Sequence, residues 1–161
     1  MTIEERLEKL EAAYQGANAQ VSTTTPPVSN EVHTKKLVVS NDQGRTVAVL
    51  GASKGGSGLS LFDENGKQRA VLGATEDGPE LGLFNENEKL RAMLGVRNDE
   101  TILSLNDEDG KLRAMLAVTN DGLRLSLFDR KDKQRASLDV SEDGPELDLF
   151  DENGKLIRAV P

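Results

Sequence analysis

Leucine returns at an unbroken period of 22 residues along most of the chain: Leu59, Leu81, Leu103, Leu125 and Leu147 share one position, and Leu37 opens the series. Two residues further on, Val39, Leu61, Leu83, Leu105, Leu127 and Leu149 repeat the spacing. Phe62, Phe84, Phe128 and Phe150 follow them, with Asn106 interrupting the aromatic column. A second segment recurs as Lys-x-Arg-Ala-x-Leu from Lys67, Lys89, Lys111 and Lys133, aligning Leu72, Leu94, Leu116 and Leu138. Self-similarity at a fixed period marks a stacked repeat architecture. Six copies span residues 36–161. The first is aberrant, with Arg45 and Val47, and the last reads as carrying one extra residue in Lys155-Leu-Ile-Arg-Ala-Val. Atypical end repeats are what an array needs as caps.

Each unit holds two stretches of six to eight residues with alternating apolar character, separated by turn signals, which predicts twelve short strands. Asn65-Gly66, Asp109-Gly110 and Asn153-Gly154 mark the turns within repeats, and Asp77-Gly78, Asp121-Gly122 and Asp143-Gly144 those between them. Such pairs supply the positive φ angles of type I′ turns, so a continuous antiparallel meander is expected. A two-residue loop at Asn65-Gly66 sets Leu61 opposite Ala70 and Leu59 opposite Leu72. One at Asp77-Gly78 sets Leu72 opposite Leu83 and Ala74 opposite Leu81, on the same face. Pro79 and Pro145 lack an N–H that a tight loop uses there, so those loops are expected to widen by two residues, which preserves parity. The other face is mixed, with Ser60, Phe62, Arg69 and Val71, then Gly82, Phe84, Arg91 and Met93.

The fold class is therefore mainly β, a meander of 22-residue hairpin repeats with a Leu/Ala face that must be covered. Closing it within the chain as a barrel or sandwich needs turns or bulges that vary, whereas this chain repeats one unit. A uniform sheet would stand roughly 55 Å tall at about 4.8 Å per strand, and its apolar face would exceed what a soluble monomer leaves open. The expectation is an oligomer whose core holds Leu59, Leu61, Leu72, Leu81, Leu83, Leu94, Leu103, Leu105, Leu116, Leu125 and Leu127.

The N-terminus adds to this. Thr2 and Glu5 have capping-box spacing, and Ile3, Leu7, Leu10, Tyr14, Ala17 and Val21 alternate steps of four and three, a heptad seam. With Leu7 at a and Ile3 at d the pattern leans to trimers or tetramers over dimers, and Arg6 at g can reach Glu11 at e of a parallel neighbour. Residues 1–21 are read as a coiled-coil helix, 22–35 as a polar, Pro-containing linker and 36–161 as the repeat domain. Three sheets around a shared axis, Leu/Ala faces inward, would make a triangular prism. Short β-repeats behind an N-terminal coiled coil resemble the trimeric fibre and needle-type structural proteins of phages and phage-derived injection machines. That resemblance implies a rigid trimeric β-prism acting as a spacer or shaft, and it carries over no functional residue.

Composition narrows the chemistry. The 28 acidic against 20 basic residues give a formal charge of -8, which disfavours nucleic acid and anionic membrane surfaces as partners. Mean hydropathy is -0.49 and no apolar run nears a bilayer span. The charged first residues show no signal peptide, so synthesis in the cytoplasm is expected, within a leaderless exported or virion-like assembly at most. The chain has no Cys, which removes disulfides and thiol chemistry.

Turn carboxylates at Asp63, Asp107 and Asp151 present the oxygen ligands Ca²⁺ prefers, but φ requirements already explain acids and amides there, and solvated turns are the favoured reading. Arg69, Arg91, Arg113 and Arg135 beside Phe62, Phe84 and Phe128 could meet a polysaccharide or other repetitive anionic surface; alternatively, each Arg packs across Phe and pairs with turn acids. His33 stands alone in the linker, and the Gly-rich run 51–58 opens no helix. In a repeat array each candidate residue recurs, whereas an active site is one asymmetric constellation, so no enzymatic activity and no cofactor are expected.

Overall fold

A computed structural model describes residues 2–19 and 31–160, and the chain divides into two units, Met1–His33 and Thr34–Pro161. The first contains one helix, α1 (Ile3–Ala19). Its capping box forms: the Thr2 amide donates to Glu5 Oε2 at 2.8 Å, and the Glu5 amide donates to Thr2 Oγ1 at 3.3 Å. Ile3, Leu7 and Leu10 are all exposed on it. Val21 and linker residues 22–30 lie outside the described residues, as do the side chains of Tyr14 and Ala17.

The second unit is one sheet of twelve strands in sequence order, each antiparallel to the next. They are β1 (Lys36–Ser40), β2 (Thr46–Ser53), β3 (Gly56–Phe62), β4 (Gln68–Thr75), β5 (Gly78–Phe84) and β6 (Leu90–Arg97). β7 (Glu100–Asn106), β8 (Leu112–Thr119), β9 (Gly122–Phe128), β10 (Gln134–Ser141), β11 (Gly144–Phe150) and β12 (Leu156–Val160) complete it. Among the described residues no two strands touch except sequence neighbours, so the sheet neither closes into a barrel nor folds into a sandwich.

The turns within repeats differ from the type I′ expectation. The Asp63 amide donates to Lys67 O and the Gly66 amide to Asp63 O, with φ +77° at Gly66, a three-residue loop of the type I plus αL kind. Asp63 Oδ1 accepts the amides of Asn65 and Lys67 at 2.9 and 3.0 Å, closing an Asx turn. Glu88 and Asp132 take the αL position in two other copies, at φ 57° and 61°. One strand residue is then left without a partner: Leu61 pairs Ala70 while Phe62 pairs Gln68, which bulges Arg69 out of the ladder. Arg91, Arg113 and Arg135 are bulged in the same way. An odd loop plus one bulged residue has the parity of a two-residue loop, so Leu59 does face Leu72 as expected.

Between repeats the register also differs. Leu72 pairs Leu81 and Ala74 pairs Pro79, in place of Leu72 with Leu83 and Ala74 with Leu81. The loop is Glu76-Asp77, one residue earlier, and Gly78 opens the next strand opposite Thr75. Neither proline loop widens, because Thr75–Gly78 closes the hairpin and Pro79 falls on the following non-hydrogen-bonded pair, where no N–H is required across it. Gly78 is at φ +121°, and a Cβ there would lie 1.9 Å from Val96 O. Where Glu100 replaces that glycine, the positive angles move to Asn98 and Asp99, residue types that tolerate them. The last copy contains no insertion: Arg158 pairs Leu149 in the place Ala136 takes one repeat earlier, and Ile157 is the bulged residue.

Candidate functional site

The corrected register brings together what the sequence scattered. Leu37, Leu50, Leu59, Leu72, Leu81, Leu94, Leu103, Leu116, Leu125, Leu138 and Leu147 pair in turn across β1 to β11, forming one leucine column along the middle of a face. One flank alternates Leu and Ala, as in Leu61, Ala70, Leu83, Ala92, Leu105, Ala114, Leu127 and Ala136. The other flank runs through Ala74, Pro79, Val96, Thr101, Val118, Leu123 and Val140. At about 4.8 Å per strand the leucine column is roughly 50 Å long.

Among the described residues no second layer of strands covers this face. Leu72 is 54% exposed and Leu94 46%, and every leucine proposed for the core is exposed or half-buried. Ala117 is the sole buried apolar residue, apart from glycine, among the described residues. The six buried residues there, Gly82, Gly95, Ser104, Ala117, Ser126 and Ser137, all lie on the opposite face. A Phe84 ring carbon sits 3.3 Å from where a Gly82 Cβ would stand, so that ring lies down over its own strand.

The arginine column serves the hairpins. Arg69 Nε donates to Phe84 O at 3.1 Å, Arg91 Nε to Asn106 O at 3.0 Å and Arg135 Nε to Phe150 O at 3.0 Å, each tying one repeat to the next. The bulge turns each side chain toward that carbonyl. Arg113 is the most engaged: it donates to Asp107 Oδ2 at 2.9 Å, Asp129 O at 2.6 Å and Asp132 Oδ1 at 2.9 Å. Arg69 and Arg135 pair with Asp63 and Asp129, while Asn85 stands at that position beside Arg91. Phe62 and Phe128 are half-buried at the ends of their strands.

The carboxylates considered for Ca²⁺ act inside the turns. Asp107 Oδ1 accepts the Asp109 and Lys111 amides, and Asp151 Oδ1 those of Asn153 and Lys155. The Lys67 amide, with those of Asn65 and the Arg69 guanidinium, holds the Asp63 carboxyl below its ordinary range. The Lys111 amide leads the same effect at Asp107, with Arg113 behind it, and the Lys133 amide leads at Asp129. No group of three His, Cys, Asp or Glu suited to a metal occurs among the described residues. His33 Nε2 pairs with Glu31 Oε2 at 2.9 Å, both side chains exposed. A groove of about 720 Å³ on the polar face, beside Met115, Ser137, Asp148 and Phe150, is crossed by the Arg124–Asp139 ion pair.

No protein-family model matches the chain, and no curated protein matches it.

Proposed function

We propose that the protein is a non-enzymatic structural module, a shaft or assembly scaffold, built when copies of the chain cover one another's leucine faces. The carrying observation is the eleven-leucine column on the face that the chain itself leaves open. An exposed apolar surface of this length is unfavourable in water, and a repeating surface is best matched by another copy of itself. Three copies are favoured, in a trimeric β-prism led by a coiled coil, because Leu7 at a and Ile3 at d disfavour dimers. An outer-face ligand such as a polysaccharide has weaker support, since Arg69, Arg91 and Arg135 direct their Nε donors at backbone carbonyls. Light scattering coupled to size exclusion tests the proposal: a mass near three times 17.4 kDa, unchanged on dilution, is expected. A constant 17.4 kDa would refute it.

A further inference from the structure

The three columns of the leucine face differ, and the differences specify an alignment. Resting on the self-covering reading above, we propose that the covering copies run in the same direction and at equal height. Each layer then consists of the same strand from every copy, the leucine column lines the shared axis, and one copy's Leu/Ala flank meets its neighbour's Val/Thr/Pro flank.

The central column is the one whose residue does not change from β1 to β11. Such a column suits an axis shared by equivalent copies, because every height then offers the same side chain to its counterparts. The two flanks are phased against each other within β5 to β8, β10 and β11, while β4 carries Ala70 and Ala74 and β9 carries Leu127 and Leu123. Leu83 shares β5 with Pro79, and Leu105 shares β7 with Thr101; Ala92 shares β6 with Val96, and Ala114 shares β8 with Val118. At equal height each contact in β5 to β8, β10 and β11 joins a larger side chain to a smaller one, and from β4 to β11 only the β4 and β9 layers set like beside like. A slip of one strand would set Leu105 against valine and Ala92 against Thr101 or Pro79, crowding alternate layers and leaving gaps between them. A head-to-tail interface also closes into a ring only when rotation carries no translation along the axis. Reversed copies would set the Leu/Ala flank against itself, which also matches large to small. Copies running in the same direction, unlike reversed ones, match the parallel heptad reading of residues 1–21, in which Ile3, Leu7 and Leu10 form one seam with the same residues of a neighbour.

The absence of cysteine makes a single introduced thiol specific. Leu59→Cys on β3 and, as an independent position, Leu116→Cys on β8 would each be treated with a short bis-maleimide, after light scattering confirms that the variants assemble. Equal-height copies give a covalent dimer of twice 17.4 kDa from either variant alone. In reversed copies β3 meets β10, seven strand spacings or roughly 34 Å from β3 itself, so Leu59→Cys would be silent alone and would link only when co-assembled with Leu138→Cys. That result overturns the proposal, as does an intact oligomer in which no combination links. Ser60→Cys, on the opposite face, is the silent control. A monomeric unmodified chain instead defeats the self-covering reading, and it is seen before any thiol is introduced.

Discussion

The two faces of the sheet share one backbone and have opposite fates. On the polar face, small residues lie low between longer neighbours, and Ser126 is 3% exposed between its cross-strand partners Met115 and Ser137. On the other face, leucines stand on adjacent strands about 4.8 Å apart and still leave up to 54% of their surface, at Leu72, in water. Lateral contact within one layer cannot cover a side chain from above, however well the residues match their neighbours. A single sheet therefore has no interior, and its stability as a lone chain rests on ladders, turns and the arginine ties. The leucines contribute in full only when a second layer arrives.

The largest expected effect sets the faces directly against each other. Leu94→Ala should cost about 2–5 kcal/mol per chain by denaturant unfolding if its face is covered, whereas Ser60→Ala on the other face should cost far less. Equal, small losses would break the contrast. Next come the turns on which both faces depend. Gly78→Ala should lose about 1–3 kcal/mol, because the new Cβ meets Val96 O at a positive φ. Gly51→Ala, with nothing within 4 Å and an ordinary backbone, should be close to neutral. Glu88→Gly should gain about 1 kcal/mol by relieving a left-handed non-glycine residue, read as a raised unfolding midpoint.

The smallest effect is a pH dependence. The carboxyls of Asp63, Asp107 and Asp129 titrate below their ordinary value when folded, so their contribution is in place above about pH 4, where the unfolded groups ionise, and fades as pH falls through the folded pKa values. Melting followed by circular dichroism should therefore decline on acidification, and less steeply in an Asp63→Asn, Asp129→Asn variant. An identical decline in both proteins would remove these turns from the acid response.

Much of this was legible in the residues. The period of 22, the alternation and the turn dipeptides led to twelve antiparallel strands in one meander, and Thr2 and Glu5 announced the helix start. Parity survived a wrong turn type, because the three-residue loop and the bulged arginine each add one residue and their offsets cancel. The role of the arginines was not legible: a bulge is invisible in a pattern that fits a simpler hairpin equally well, and with it the reason Arg69 reaches Phe84 O. The turns between repeats misled by two residues. Asp77-Gly78 looks like a loop pair, yet Gly78 is drawn into the strand because only a residue without Cβ can lie beside Val96 O.

What the sequence by itself determined was periodic: which residues are strands, how many there are, and that leucine and alanine share one side, since side-chain direction alternates with every residue and survives any even slip. Which leucine meets which was decided only by the folded turns. A two-residue displacement keeps every side chain on its face and changes every partner, so the continuous column from Leu37 to Leu147 exists through the backbone geometry at Gly78 and its counterparts and through nothing that hydropathy alone can carry.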